Sequence, residues 1–236
     1  MTQIEVLPGL DGHPGQQYSL GTDRAAIGDH SISYSLNRDR YRELEWDQCD
    51  FDGSAWLFGC SYAQGIGVAF EHTTAHVLSQ LAGLPVINFA QGGSSIRYQC
   101  DQLALLLSQA VRPRKIAVIW PDMGRWPYYG AEDHTNPEYS NTMYQAHTQC
   151  DVYMRNRARL DVLGWRVMVA GLGIPSAELS WSEQTRRAVG RPESCLDPLQ
   201  FYYPELDRAR DGQHPGVTSH RVCAEEIHLQ WQGLKD

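Results

Sequence analysis

Two short segments far apart in the chain carry residue types suited to nucleophilic attack and proton transfer. The first is Gly59-Cys60-Ser61-Tyr62-Ala63-Gln64-Gly65-Ile66-Gly67. A serine that directly follows a short apolar run, among glycines, fits a nucleophile on a tight strand-to-helix turn. The glycines allow a sharp turn and close approach of a substrate, and a helix starting at the serine would aim unpaired N–H groups at a developing anion. The spacing is not GxSxG and no GK[ST] follows, so neither the α/β-hydrolase elbow nor a P-loop is indicated. A turn of this type also suits a structural or phosphate-cradling role. The second segment is Asp211-Gly212-Gln213-His214-Pro215-Gly216. An Asp three residues before a His can hold imidazole Nδ1–H, leaving Nε2 to take a proton from a hydroxyl and favouring the imidazolium that results. Pro215 restricts His214 to extended backbone. An Asp turn followed by a solvent-exposed His has the same spacing.

Other residues offer less. His72 and His76 would share a face of one helix, but HTTAH lacks the internal Glu of HExxH and no third ligand is evident, so no metal site is expected. Cys60, beside the serine, is a second candidate nucleophile. The stretch WPDMGRWPYYGAEDHTNPEYSNTMY, residues 120–144, is long for a connection, and long loops are frequently functional. Trp126, Tyr128, Tyr129 and Tyr139 would suit sugar stacking or a self-packed lid. Arg125 could meet a carboxylate or phosphate. Asp122, when ionised, can only accept hydrogen bonds. Arg97 is expected in a structural ion pair.

The elements that must position these residues follow from periodicity. Ala55–Gly59 (AWLFG), Pro85–Phe89 (PVINF), Lys115–Trp120 (KIAVIW) and Trp165–Ala170 (WRVMVA) read as short buried strands. Between them come a helix over 70–82 closed by Gly83, one carrying Ile96, Cys100, Leu103, Leu107 and Ala110, and one from Met143 past Leu160, ended near Gly164. A last helix starts near Pro215 and runs through Cys223, Ile227 and Trp231. This alternation predicts parallel strands with helices on both faces, and ligands outside the carboxyl ends of the strands. Residues 1–50, polar and rich in Gly and Pro at the start, read as an arm packed on the main domain, 51–236.

The chain has 236 residues, a net charge of −8 and 42% hydrophobic residues, the profile of an ordinary soluble globular protein, and its length suits one α/β domain. The acidic balance argues against a nucleic-acid partner. No run is long enough to span a bilayer, and the start MTQIEVLPGLDGHPG lacks the basic and apolar blocks of a signal peptide. The six cysteines form no CxxC pair, so reduced thiols and a cytoplasmic location are expected.

Taken together, the serine turn and DGQH resemble the SGNH (GDSL-type) hydrolase superfamily over residues 55 to 231. GCSYAQG stands where the family reads GDSxxxG. NFAQGGSS, Asn88–Ser95, supplies the second-block glycine as Gly93, and DGQH matches the closing DxxH. The segment YSLNRDRYRE is similar to leaders on bacterial and viral members. The resemblance implies a three-layer α/β/α, flavodoxin-like fold with a parallel sheet of about five strands. It implies Ser61 as nucleophile, His214 as base, Asp211 as its orienter, and an oxyanion hole from the Ser61 and Gly93 N–H groups. Arg125, Trp126 and Asp122 would contact substrate. The implied activity is that of a serine esterase or deacylase acting without cofactor on small acyl esters, with O-acetyl groups on carbohydrate as one class. Two departures stand out. Cys60 replaces the Asp of GDS, and the third block, Ile119-Trp120-Pro121-Asp122-Met123-Gly124-Arg125, has no Asn, leaving Arg125 as a cationic substitute donor. Both departures suit an alternative, a non-catalytic module that binds carbohydrate or serves as a structural part of a virion. Oligomeric state is not legible.

Overall fold

The protein was analysed as a computed structural model, which describes residues 4–7, 17–19, 33–125, 151–189, 207–209, 212 and 214–233. A short antiparallel pair, β1 (Gln17–Ser19) and β2 (Ser33–Ser35), precedes the main domain. The main sheet is built from β3 (Ala55–Gly59), β4 (Val86–Asn88), β5 (Lys115–Trp120) and β6 (Ser176–Ser180), all parallel, in the order β4-β3-β5-β6. Numbered within this sheet alone, that is the 2-1-3-4 order of flavodoxin-like folds, with the switch point between β3 and β5. The helices are α1 (Ser61–Gln64), α2 (Thr74–Ala82), α3 (Ile96–Ser108), α4 (Asp151–Leu172), α5 (Glu183–Val189) and α6 (Val217–Trp231). The expected three-layer α/β/α class is thus present, with four parallel strands among the described residues where about five were expected.

Alternation along the strands divides the core in two. Trp56 and Phe58 of β3, with Ile116, Val118 and Trp120 of β5, face one layer together with Leu103 and Leu106 of α3 and Trp165 of α4. Ala55 and Leu57, with Ala117 and Ile119, face Leu78 of α2 and Cys223 and Ile227 of α6. Every residue of β3 is buried, as expected for a central strand covered on both faces. The second face is built from smaller residues, which lets α2 and α6 lie close to the sheet and carry their N-termini to its carboxyl edge. From the amino-terminal side, Tyr41 and Trp46 insert into the first core; the Tyr41 hydroxyl lies 2.8 Å from that of Tyr98.

One expected strand is a helix. Trp165–Ala170 lies inside α4, which runs through Gly164 and ends before Gly173, a left-handed residue at φ 62°. Met154, Ala158, Val162, Trp165 and Val169 are its buried residues, a helical spacing of three and four. The run WRVMVA looks like a buried strand because Val167 adds an apolar residue to it, yet Val167 is exposed on the opposite side. The fourth strand is Ser176–Ser180, after the break Gly173-Ile174-Pro175. The expected helix over 70–82 is also divided: Phe70–His72 form a separate 3-10 turn, and α2 starts after Thr73, whose hydroxyl accepts the His76 N–H. His72 and His76 therefore do not share one helix. Arg97 makes the expected ion pairs, with Asp101 and Asp161.

Candidate active site

The serine turn forms because β3 ends in a residue that tolerates no side chain. A Cβ on Gly59 would lie 2.6 Å from Ala63 Cβ and 3.1 Å from the Ile119 carbonyl. Cys60 is extended and buried, and Ser61 is the first residue of α1. The helix ends after one turn at Gly65, φ 82°, where a Cβ would meet Thr73 Cγ2 at 2.6 Å. Buried Arg42 donates to the Gly65 and Val68 carbonyls, closing this end of the turn.

A buried amide holds the other end. Gln99 of α3 accepts the Gly59 N–H at 3.1 Å and donates to the Gly59 carbonyl at 2.9 Å and to Ser94 Oγ at 2.6 Å; Ser94 Oγ also donates to the Gly59 carbonyl. Gln91 N–H bonds that same carbonyl. The loop after β4, which carries Gly93, is therefore tied directly to the end of β3. Gly93 is exposed in a left-handed conformation, φ 72°. Ser61, by contrast, is only 6% exposed. Among the described residues, no acceptor is found for either the Ser61 or the Gly93 N–H.

The histidine turn is organised separately. Arg208 and Pro215 form an isolated antiparallel bridge, with Ala209 N–H donating to the His214 carbonyl and Gly216 N–H to the Asp207 carbonyl. The Asp207 carboxylate accepts the N–H groups of Thr218 and Ser219 and the Ser219 hydroxyl, each at 2.9 Å, and so caps α6 from outside the helix. Partial burial works to raise its pKa, but these hydrogen bonds outweigh it and hold the carboxyl below its usual range. The fourth residue of this helix is buried His220. Its Nδ1 accepts the Thr74 N–H at the start of α2, and burial, with Arg42 nearby, lowers its pKa to about 3.

The two turns meet at the carboxyl edge of the sheet. The His214 ring packs edge-on against Tyr62, centroids 5.5 Å apart, beside Ser61. No hydrogen bond joins Ser61 Oγ to His214 among the described contacts. Tyr62 also packs on Trp181, which follows β6, at 4.7 Å, and the Arg125 guanidinium lies over the Trp181 ring at 5.5 Å. Arg125 Nη1 reaches the Ser94 carbonyl at 3.4 Å, next to Gly93. Ser61, Gly93, Arg125 and His214 thus gather at one rim, at the ends of β3, β4 and β5 and before α6. Asp122 is turned elsewhere: its carboxylate accepts from Ser182 Oγ and from the Gly124 N–H. Asp211 and Trp126 lie outside the described residues. Trp181, Gln99 and Asp207 were not anticipated. For Trp181 the signal existed in Gly173-Ile174-Pro175 followed by SAELSW, a break and then a strand ending in an aromatic residue.

Among the described residues there is no group of three or more His, Cys, Asp or Glu able to hold a metal ion, and no helix long and apolar enough to cross a membrane. Cys49, Cys60, Cys100 and Cys223 are free thiols; burial drives the Cys49 thiol to about 12 and also raises those of Cys100 and Cys223.

No protein-family model matches the sequence, and the curated proteins include no significant match. Among solved structures the chain is similar to a candidate lipolytic protein of the G-D-S-L family from Desulfitobacterium hafniense DCB-2, at 11% identity and a TM-score of 0.40, over 75% of this chain and 99% of that one. It is also similar to a candidate SGNH hydrolase from Slackia heliotrinireducens, at 12% identity and a TM-score of 0.32, over 75% of this chain and 97% of that one.

Proposed function

We propose that this protein is a serine ester hydrolase. In this reading Ser61 Oγ attacks the ester carbonyl as His214 Nε2 takes its proton, and Asp211 orients the imidazole. The oxyanion is met by the Ser61 and Gly93 N–H groups. The tetrahedral intermediate then collapses, the alcohol leaves with the proton from His214, and an acyl-Ser61 ester remains. Water, deprotonated by His214, attacks that ester, and collapse releases the acid and restores the serine. Small acyl esters, including O-acetyl groups on carbohydrate, are the substrates this reading favours.

One observation carries the proposal: the His214 ring rests on Tyr62, so the histidine turn and the serine turn, far apart in sequence, share one rim at the sheet's switch point. Catalytic hydrogen bonds often tighten only when substrate is bound. The alternative, a binding module that has lost its chemistry, is favoured by the substituted Asp and Asn positions.

A fluorophosphonate probe and p-nitrophenyl acetate separate the two. The wild type is expected to be labelled at Ser61 and to turn over the ester. Ser61→Ala should abolish labelling, and His214→Ala should lower kcat by about a thousandfold or more while the fold survives. An unlabelled, inert wild type would hand the site to the binding reading, and full turnover by His214→Ala would remove that residue from the mechanism.

A further inference from the structure

The rim holds two hydrogen-bond donors whose role the ester hydrolysis does not account for. The Trp181 indole N–H is buried and has no acceptor among the described residues. That ring packs against Tyr62 at 4.7 Å and carries the Arg125 guanidinium at 5.5 Å, so two neighbours hold it in place. Arg125 makes no ion pair among the described residues, in contrast to Arg97 and Arg166, which meet carboxylates at 2.9 Å. The nearest acid in sequence, Asp122, is committed to Ser182 and Gly124 instead.

An indole N–H and a guanidinium only donate, so a group that satisfies both must be rich in acceptors and is favoured when negatively charged. A buried donor left unpaired costs about 1–3 kcal/mol, which a bound acceptor would recover. Arg125 is tied to the carbonyl of Ser94, next to Gly93, and Trp181 is packed on the neighbour of Ser61. The pair therefore borders both proposed oxyanion donors.

We propose that Arg125 and Trp181 form a subsite for an oxyanion group, carboxylate or phosphate, carried by the substrate beside its ester. The location rests on the ester-hydrolase reading; the binding of the anion does not. The substrate class becomes acyl esters bearing a negative charge near the scissile bond, and specificity is set at the ends of β5 and β6.

The experiment compares kcat/KM for p-nitrophenyl hemisuccinate with that for p-nitrophenyl acetate. In parallel, calorimetry measures binding of monomethyl succinate and of inorganic phosphate to Ser61→Ala, with Arg125→Gln and Trp181→Phe introduced singly. Trp181→Phe keeps an aromatic ring beside Tyr62 and removes the N–H together with the five-membered half of the indole. Arg125→Gln should lower the hemisuccinate-to-acetate ratio by about tenfold, and Trp181→Phe by a smaller factor, each with a matching loss of anion affinity. Binding of phosphate alone, or of succinate alone, identifies the oxyanion. A ratio and affinities that neither variant moves would overturn the subsite. If the wild type is inert and unlabelled, the hydrolase reading fails by itself. Calorimetry then still decides: anion binding weakened by Arg125→Gln sustains the subsite, and no binding of either anion ends it.

Discussion

The serine turn and the histidine turn meet at one rim but are held in place by different chemistry. Around Ser61 the braces are groups that acid does not titrate: the Gln99 amide and the Ser94 hydroxyl bind both polar groups of Gly59, and the Arg42 guanidinium binds the Gly65 carbonyl, all of them buried. Around His214 the braces are ionisable. Asp207 caps α6, and four residues past Gly216 the neutral ring of His220 accepts the first N–H of α2. On the serine side Glu43 accepts the Asn88 N–H while burial raises its pKa. That sign is opposite to Asp207. Glu43 contributes stability below its unfolded pKa and loses it as pH rises through its folded value, so it does not weaken the serine turn in acid. The lesson is that Ser61 is positioned by interactions indifferent to acid, and His214 by interactions that acid removes.

The largest expected effect tests the first half of that contrast. Gln99→Leu leaves the buried Gly59 N–H without its acceptor and strips Ser94 Oγ and the Gly59 carbonyl of a partner. Unfolding free energy should fall by about 3 kcal/mol or more, and fluorophosphonate labelling should slow. The loss should be the same at every pH, measured by urea melts. A loss that grows in acid would show that the serine turn is not braced as described.

How much of this was legible follows from where each partner lies in sequence. The β3, β4 and β5 strands announce themselves as short apolar runs, because a central parallel strand must be apolar on both faces. Ser61 and His214 are readable for the same reason: each directly flanks an element whose boundary is visible. Gln99, Asp207 and Arg42 are not, since a glutamine in α3 has no local mark showing that it spends its amide on Gly59, forty residues earlier. Trp181 was hidden by an error of a different kind. The apolar run at 165–170 satisfies strand length and β-branched content, and only the buried positions upstream, Met154, Ala158 and Val162, show that a helical period continues through it. With the strand misplaced, its carboxyl end, and the aromatic residue there, moved out of view.

The second prediction concerns His220. Its folded pKa, about 3, lies below the ordinary histidine value of 6.5, so the unfolded chain binds the proton first. Stability is complete above pH 6.5 and declines as pH falls from there toward 3. Arg42, His214 and His72 all oppose protonation of the ring, and Asp207 alone favours it. His220→Gln keeps an acceptor for the Thr74 N–H and cannot titrate. Melts across this interval should show a flatter decline in the variant; an unchanged slope would assign the acid sensitivity elsewhere.

Asp207 gives the smallest effect and the sharpest separation. Its folded pKa is lowered from 3.8, so its contribution is complete above that value and is lost as pH falls through the lower folded one, beneath most of the interval in which His220 acts. Asp207→Ala should cost about 1–2 kcal/mol where the carboxylate is ionised, the usual worth of a helix N-cap. Asp207→Asn, which retains an acceptor, should cost less; both should erase the decline below 3.8 that Asp207 contributes, while the one that starts near 6.5 persists and extends to lower pH, because the Asp207 charge favours protonation of His220. The same variants reach the site through geometry. Asp207 also fixes the spacing of the turn, since a Cβ on Gly216 would lie 2.5 Å from its carboxylate oxygen. Loosening that contact frees His214 while leaving Gln99 and Gly59 untouched. Esterase kcat should therefore fall in Asp207→Ala more than the rate of fluorophosphonate capture falls in Gln99→Leu. The reverse order would mean that the serine, and not the base, is the less securely held partner.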